Sequence, residues 1–277
     1  MAEPAIVPAT VITPRGTGGG TWAEVWEFRE LLYFLVWRDL RVRYRQTALG
    51  AAWAVLQPFT TMVVFSVFFG RLAGVPSDGV PYPVFSYAAL VPWTYFASGA
   101  TQAAGSLVGS QNLLSKVYFP RLIVPLASVV TPLVDAGVAL GMLGVLMAWY
   151  GVAPDARALW LPVFALVAVA WASAVGVLLA ALNVKYRDVR FVVPFLVQFG
   201  LFVTPVAYPT SLVPERWRVL YAMNPMATVV DGFRWALVGT PPPTPDMVAA
   251  SAVAIVAVLA AGVAYFRRTE RVFADVV

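Results

Sequence analysis

Six long apolar stretches lie along the chain, separated by short segments that hold most of its charged residues. A hydrocarbon core about 30 Å thick requires about 20 apolar residues of helix, so each stretch predicts a transmembrane span. The predicted spans cover about residues 49–72, 84–108, 122–149, 158–182, 191–208 and 247–266. The fifth is short, and Pro205 and Pro209 break its end. The pattern therefore predicts an all-α polytopic membrane protein with six transmembrane helices.

A further helix is predicted before the first span, over about residues 22–46. Its residues form two stripes about 100° apart on the helix surface. The aromatic stripe comprises Tyr33, Trp37, Leu40 and Tyr44, and the basic stripe comprises Arg38, Arg41 and Arg45. This combination is typical of an amphipathic helix that lies in the membrane interface. Such a helix serves either as a lipid anchor or as a docking surface for a cytoplasmic protein.

Two short outer helices are predicted before the last span. Pro214 suits the first position of a helix that ends near Met223, and Asn224-Pro225 interrupts the chain there. The second helix covers about residues 226–238 and ends at Gly239. Their aromatic residues are typical of a membrane–water interface. The two helices are interpreted either as a gate over the outer mouth of a pore or as passive interfacial helices.

Composition supports the membrane assignment, since 60% of the 277 residues are hydrophobic, 12% are charged and the mean hydropathy is +0.77. In a soluble domain about a quarter of the residues are charged.

The absence of Cys and His excludes Cys/His zinc sites, thiol nucleophiles and disulfides. Neither lysine follows a glycine, so the chain has no Walker A loop. No bound cofactor or metal is expected, and an ATPase that drives transport is expected on another chain.

The distribution of Lys and Arg predicts the orientation of the spans. With both termini in the cytoplasm, fourteen of the 19 Lys and Arg residues fall in inside segments and five in outside segments. This bias matches the enrichment of basic residues in short cytoplasmic loops.

Residues 1–21, rich in Pro, Thr and Gly, are expected to form a disordered cytoplasmic tail. The net charge of +5 is ascribed to these loops and to anionic lipid, not to nucleic acid.

Two features inside the predicted spans allow more than one interpretation. Asp135 is the one ionisable residue well inside a predicted span, where a charge is costly. A structural role, protonated or hydrogen-bonded, is favoured for it over a proton or cation site. The pairs Gly105/Gly109 and Gly137/Gly141 have a spacing that lets helix backbones approach closely. Packing within the chain is favoured for them over a dimer seam.

Several motifs occur in an order that resembles one family. They are residues 37–45 with Leu49-Gly50 and Trp53, residues 183–190, residues 202–209, Asn224-Pro225, residues 232–235 and residues 273–276. From about residue 22 to its end, the chain resembles the type 2 ABC exporter permeases of O-antigen and teichoic-acid transport. The ending Phe-Ala-Asp-Val favours the O-antigen branch. The N-terminal tail and the stretch 241–243, Pro-Pro-Pro, are departures from the family pattern.

The resemblance implies a homodimeric permease in the bacterial inner membrane. Two copies of a cytoplasmic nucleotide-binding ATPase, which hold ATP and Mg²⁺, would complete the transporter. The substrate implied is a polyprenyl-diphosphate-linked polysaccharide that moves from cytoplasm to periplasm. The N-terminal helix and the loop over residues 112–121 are then expected to contact the ATPase.

Three sets of candidate site residues follow from the motifs and the resemblance. The ATPase-docking set is Arg38, Arg41, Tyr44, Arg45, Asn112, Leu113, Lys116, Tyr118 and Arg121. The candidate channel-lining aromatics, whose flat faces suit sugar rings, are Trp53, Phe59, Tyr87, Trp93, Tyr95 and Phe96. The candidate outer gate is Pro214, Trp217, Tyr221, Asn224, Pro225, Phe233 and Arg234.

Other functions stay open at this point. A type 2 ABC permease for a drug or small lipid has the same general pattern. An ion-coupled secondary transporter would depend on Asp135, which is the coupling group that the spans offer. A membrane-embedded enzyme is disfavoured, because the spans contain no apparent nucleophile or metal-binding cluster.

Overall fold

The computed structural model describes residues 22–45, 50–114, 116, 119–186 and 188–270, and its regular elements are all helices. The N-terminal tail at 1–21, the motif residues Leu49, Tyr118 and Arg187, and the ending 273–276 lie outside the described residues. The α-helices are α1 (Trp22–Glu27), α2 (Arg29–Arg45), α3 (Gly50–Phe65), α4 (Tyr82–Gly109), α5 (Gln111–Leu114), α6 (Ile123–Val130), α7 (Leu133–Trp149), α8 (Leu161–Lys185), α9 (Val189–Val203), α10 (Glu215–Tyr221), α11 (Pro225–Val238) and α12 (Pro245–Thr269). A π-helical segment, Ser66–Leu72, continues α3, and 3₁₀ turns cover Ala156–Trp160 and Thr210–Leu212.

Four helical segments are long and apolar enough to cross a membrane, and they match the first, third, fourth and sixth predicted spans. They are Ala52–Leu72, Ile123–Trp149, Ala156–Lys185 and Pro245–Thr269. Helix α4 has 28 residues but is less apolar than these four, and α9 is apolar but has 15 residues. At 1.5 Å per residue α9 is about 22 Å long, shorter than the hydrocarbon core. The six-span count therefore stays a prediction.

The third predicted span is confirmed as one apolar segment, Ile123–Trp149, with a short interruption between its two helices. Helix α6 ends at Val130 and α7 begins at Leu133. Pro132 lacks the N–H that would continue the hydrogen-bond ladder, and its ring conflicts with the preceding turn. The Tyr95 hydroxyl donates to the Val129 carbonyl oxygen at 3.3 Å, so a side chain from α4 satisfies the backbone beside the interruption.

Helices α4 and α8 form the centre of the bundle, and α6, α11 and α12 each pack against α8. Close approach at this centre depends on small residues. A Cβ atom at Gly176 of α8 would lie 2.7 Å from the Ala103 Cβ atom of α4. This distance is below van der Waals contact, so the glycine is needed for the helices to meet.

The glycine pairs singled out from the sequence do not serve this purpose. A Cβ atom at Gly105, Gly109, Gly137 or Gly141 would meet no heavy atom of the described chain within 4 Å. Packing within the chain was the favoured interpretation of these pairs, and it is wrong. The spacing of small residues does not reveal which helix face is turned inward, and the contacts instead lie at positions such as Gly176.

The predicted helices outside the spans are confirmed, with small differences at their ends. Phe28 interrupts the N-terminal helix and divides it into α1 and α2. Helix α10 begins at Glu215, so Pro214 is its N-cap and not its first residue. Helix α11 begins at Pro225, and the Asn224 side chain accepts a hydrogen bond from the Met226 backbone N–H at its start. It ends at Gly239, whose φ of 76° is the left-handed conformation that glycine adopts freely.

We predict opposite effects of alanine at two helical glycines. Gly176→Ala inserts a methyl group against Ala103 and should lower the free energy of unfolding by about 1–3 kcal/mol. Gly137→Ala, in open space on α7, should be neutral or should stabilise by about 0.5–1 kcal/mol. Thermal unfolding of the purified variants measures both effects. Equal stability of the two variants would contradict the close packing of α4 on α8.

Candidate functional site

A basic surface covers one end of the bundle, which we call the basic end. It carries exposed side chains from α2 and from the turn after α4: Arg38, Arg41, Arg45, Asn112 and Lys116. A cavity of about 230 Å³ is lined by both Arg38 and Ser110, so α2 lies beside the residue that precedes α5. Two segments that are far apart in the sequence therefore meet on one surface, as the docking prediction requires.

Other residues of the predicted docking set are turned toward the protein. The Tyr44 hydroxyl donates to the Asp135 carboxylate, and Leu113 packs against the apolar cluster that contains Phe119 and Phe266. One Arg121 guanidinium N–H donates to the Glu270 carbonyl oxygen at 2.6 Å, which joins the start of α6 to the end of α12. These contacts hold the basic end together, and the role of these residues in docking stays a prediction.

Helix α2 packs on the bundle through apolar side chains outside its aromatic stripe. Leu35 is buried in the apolar cluster at the basic end, and Phe28, Leu31 and Leu32 pack around it. The aromatic stripe is exposed at Tyr33 and Trp37. The Arg41 guanidinium lies 5.2 Å from the centre of the Trp37 ring, within range of a cation–π contact. The aromatic face of α2 is therefore free to contact lipid headgroups.

Asp135, the isolated carboxylate of the third span, has its partners on α2. The Arg43 guanidinium forms an ion pair with it, and the Tyr44 hydroxyl donates to its other oxygen. Burial, together with the hydrogen bond to Asp135, raises the pKa of Tyr44 to about 12, so its hydroxyl keeps its proton at neutral pH. Sequence reasoning favoured a structural role for Asp135 but did not find these partners, because they come from a helix outside the spans.

A cavity of about 300 Å³ with both polar and apolar lining lies next to this pair, between α3, α4 and α7. Arg43 and Asp135 line it together with Trp53 and Tyr95, which are two of the six predicted channel aromatics. The Trp53 side chain is 60% exposed, so one face of its indole ring is available for a ligand.

The other predicted channel aromatics lie largely in the core. Tyr87 is fully buried and Trp93 is 5% exposed, while Phe59 and Phe96 are partly buried against the same cluster. The Phe96 ring stacks on the Trp171 ring with their centres 6.3 Å apart. Tyr87 and Trp93 are core residues of the described chain, as is Tyr95, which is 4% exposed, and their role in a channel stays a prediction.

At the opposite end, Arg234 holds an irregular turn that follows α9. Its side chain is 1% exposed, and its N–H groups donate to the carbonyl oxygens of Phe85, Pro205, Val206 and Tyr208 at 2.6–3.3 Å. The guanidinium carbon also lies 3.4 Å from the centre of the Phe85 ring. These bonds satisfy carbonyl groups that a helix would otherwise have paired.

Further side chains form hydrogen bonds with the same turn, residues 204–208, which we call the outer turn. Tyr82 donates to the Ala207 carbonyl oxygen at 2.6 Å, the Asn224 amide donates to the Thr204 hydroxyl at 2.9 Å, and the Tyr208 and Tyr221 hydroxyls are 2.7 Å apart. The outer turn is therefore fixed by α4, α10 and α11 together.

The predicted gate residues thus divide into three groups. Tyr221, Asn224 and Arg234 bind the outer turn; Pro225 and Phe233 are buried in the core; Pro214 and Trp217 are exposed. Arg234 is one of the five basic residues assigned to outside segments, and its side chain is buried within the protein. Burial lowers the pKa of Arg234 to about 10, so the guanidinium still carries its charge at neutral pH. Burial raises the pKa of nearby Asp231 to about 6, although the Thr210 hydroxyl donates to this carboxylate at 2.9 Å.

The charged turn over residues 183–190 contains a structural contact that its sequence does not reveal. The Asn183 amide is buried and donates to the Ala104 carbonyl oxygen at 2.8 Å, which links α8 to α4. Lys185 and Arg190 are exposed and lie over the rings of the neighbouring Tyr186 and Phe191. The motif therefore combines one packing contact with an exposed basic surface.

We predict that Arg234→Lys weakens the protein although the charge is kept. An ammonium group lacks the planar fork that reaches four carbonyl oxygens, so buried acceptors lose their donors. The free energy of unfolding should fall by about 3 kcal/mol. Arg216→Lys, at an exposed arginine of α10, should change it by less than about 0.5 kcal/mol. Thermal unfolding of the two variants measures both changes. Equal stability of the two variants would show that the carbonyl contacts of Arg234 contribute little to the free energy of unfolding.

Comparison with known proteins identifies the family. Residues 30–238 match the family model described as ABC-2 type transporter. The O-antigen export system permease protein RfbA of Myxococcus xanthus is 32% identical over 214 residues, which cover 76% of this chain and 81% of that protein. A protein of the same name from Klebsiella pneumoniae is 27% identical over 206 residues, 74% and 79% of the two chains. The polysialic acid transport protein KpsM of Escherichia coli is 22% identical over 209 residues, 72% and 78% of the two chains. The chain therefore belongs to the ABC-2 type transporter family, as a membrane permease.

Proposed function

We propose that this chain is the permease subunit of an ATP-driven exporter of lipid-linked polysaccharide. The substrate is an O-antigen-like polymer on polyprenyl diphosphate, which moves from the cytoplasm to the periplasm. The observation that carries the proposal is the similarity, over about three quarters of the chain, to permeases whose names refer to O-antigen and polysialic acid export.

The energy for transport comes from a separate ATPase subunit. This chain has no Walker A loop, so it cannot cradle the phosphates of ATP as P-loop enzymes do. The exposed part of the docking set, at Arg38, Arg41, Arg45, Asn112 and Lys116, offers positive charge and polar contacts to a cytoplasmic partner. Helix α2 packs on α6 and is tied to α7 through Asp135, so movement of the ATPase is transmitted directly to the third span.

Two copies of the chain form the channel. The cavities at the basic end and beside Asp135 measure about 230 and 300 Å³, which suits a single ring and not a polymer that crosses the bilayer. A polar sugar chain needs a continuous protein-lined path, which two chains can enclose between them. Two ATPase subunits, one on each permease chain, complete the symmetric assembly.

The orientation follows from the charges. The basic end faces the cytoplasm of a bacterium, with both termini inside, and the outer turn with α10 and α11 faces the periplasm of the inner membrane. In this orientation the outer turn, Tyr221 and Arg234 close the periplasmic mouth between transport events. Because the turn is held by hydrogen bonds and not by a continuous helix, it can be released without breaking a span.

The alternatives differ in what they require of the chain. An ion-coupled transporter needs a carboxylate that can take up an ion, whereas Asp135 is engaged by Arg43 and Tyr44. A permease for a drug or small lipid would share the family but not the similarity to polysaccharide permeases. A membrane enzyme would need a metal or nucleophilic cluster, and among the described residues no group of three acidic, His or Cys side chains is close enough to hold a metal.

We predict that replacing Arg38, Arg41 and Arg45 together with Glu abolishes both binding of the ATPase subunit and export. Three charge reversals on one surface turn attraction into repulsion. A matched control reverses the exposed arginines at the opposite end, Arg71, Arg157 and Arg216, and should leave ATPase binding unchanged.

Co-purification of the tagged permease with its ATPase measures docking, and surface polysaccharide measures export. If the variant at the basic end kept both, the docking assignment would be wrong. If the control at the opposite end lost ATPase binding as well, the orientation would be wrong instead.

A further inference from the structure

The cavity beside Asp135 has walls from three spans and a charged floor. Trp53, Gln57 and Pro58 of α3 form one wall, and Thr94, Tyr95 and Ser98 of α4 form the other. Pro132, Asp135 and Ala136, with Arg43 of α2, complete the lining. The site thus combines one exposed aromatic ring with several polar groups, which is the usual make-up of a pocket for a small polar ligand.

The charges of the cavity select against an anionic ligand. Arg43 is paired with the Asp135 carboxylate, and the Tyr44 hydroxyl donates to that same carboxylate. A phosphate or diphosphate that bound to Arg43 would have to displace Asp135 and would then lie beside a carboxylate of like charge, which is unfavourable. The cavity therefore suits a neutral ligand, which can accept from or donate to the ion pair without breaking it.

Two polar side chains of the cavity point to hydroxyl groups on that ligand. Gln57 and Ser98 make no side-chain hydrogen bond within the described part of the chain, although both lie inside apolar helices. Gln57 is exposed and Ser98 is part-buried, and both line the cavity, so a ligand there can reach both polar side chains. A hydroxylated ligand between α3 and α4 suits them, because it offers both donors and acceptors.

Trp53 supplies the remaining element of recognition. Its ring is 60% exposed although it lies near the start of a span. A sugar ring presents C–H groups on its face and hydroxyl groups at its rim. The face matches the apolar indole surface, and the rim matches Gln57, Ser98 and the ion pair.

We propose that this cavity is a binding site for one neutral sugar ring. The inference rests on the proposed function, since it assigns to the exporter a subsite at the cytoplasmic half of the membrane where a sugar unit is held before or during transport. In this site Arg43 and Asp135 bind the ring as a pair.

The test uses photoreactive probes on the full chain in nanodiscs prepared without sugar detergents. One probe is an alkyl glucoside with a diazirine next to the sugar, and the other is an anionic phospholipid with the same photoreactive group beside its phosphate. Mass spectrometry of the labelled peptides locates the cross-links. The glucoside should label residues 53–57 and 94–98, and the phospholipid should not.

Gln57→Leu combined with Ser98→Ala removes the unpaired polar groups but leaves the ion pair and α2 intact. It should reduce glucoside labelling roughly tenfold, the effect of losing one or two hydrogen bonds. Gln198→Leu is the matched control, because Gln198 is an exposed glutamine on α9 that does not line the cavity. It should leave labelling unchanged.

Several outcomes would overturn the inference. Equal labelling by the phospholipid would identify a lipid crevice, and absent glucoside labelling, or labelling that the double variant does not reduce, would exclude a sugar site. ATPase co-purification and export by the unaltered chain are measured in the same preparations. If ATPase co-purification and export are both observed but labelling is not, the sugar site is wrong and the proposed exporter function stands. If neither co-purification nor export is observed, the proposed function itself is wrong.

Discussion

The constraint on which this structure depends is that a bilayer offers no water to its polar groups. A buried polar group without a partner is therefore costly, and several partners described here come from distant segments. Arg43 reaches Asp135 from α2, and Arg234 reaches the outer turn from α11. Asn183 reaches a carbonyl of α4 from the end of α8. These few contacts fix the two ends of the bundle, while glycine and alanine let α4 and α8 meet between them.

This arrangement divides the molecule into parts with different tasks. The centre is closely packed, whereas the two ends are held by hydrogen bonds and an ion pair. At the basic end, Asp135 connects α2 to α7, and under the proposed function this contact links ATPase docking to the channel. At the outer end, the turn after α9 is irregular backbone whose carbonyl groups the protein itself satisfies.

The sequence predicted the helices well, because the length of an apolar stretch and the Pro or Gly residues that end a helix are local properties. It predicted α10, α11 and the Gly239 cap within a few residues. It could not predict the inward face of each helix, since small residues and aromatic rings occur on both faces. Gly137 was therefore assigned to packing although it lies in open space, and the burial of Tyr87 in the described chain was not foreseen. The partners of Asp135 were missed for the same reason, because pairing across about 90 residues leaves no local pattern.

The most direct test of the central claim is the location of lipid-linked polysaccharide in a strain that lacks this chain. The account predicts that the polymer accumulates on the cytoplasmic side and disappears from the cell surface, and that the unaltered chain restores it. Antibody labelling of intact and permeabilised cells, with lipid-linked polymer extracted from each, gives the measurement. Normal surface polysaccharide with none trapped inside, in a strain with no second exporter, would contradict the account and would favour a permease for a smaller substrate.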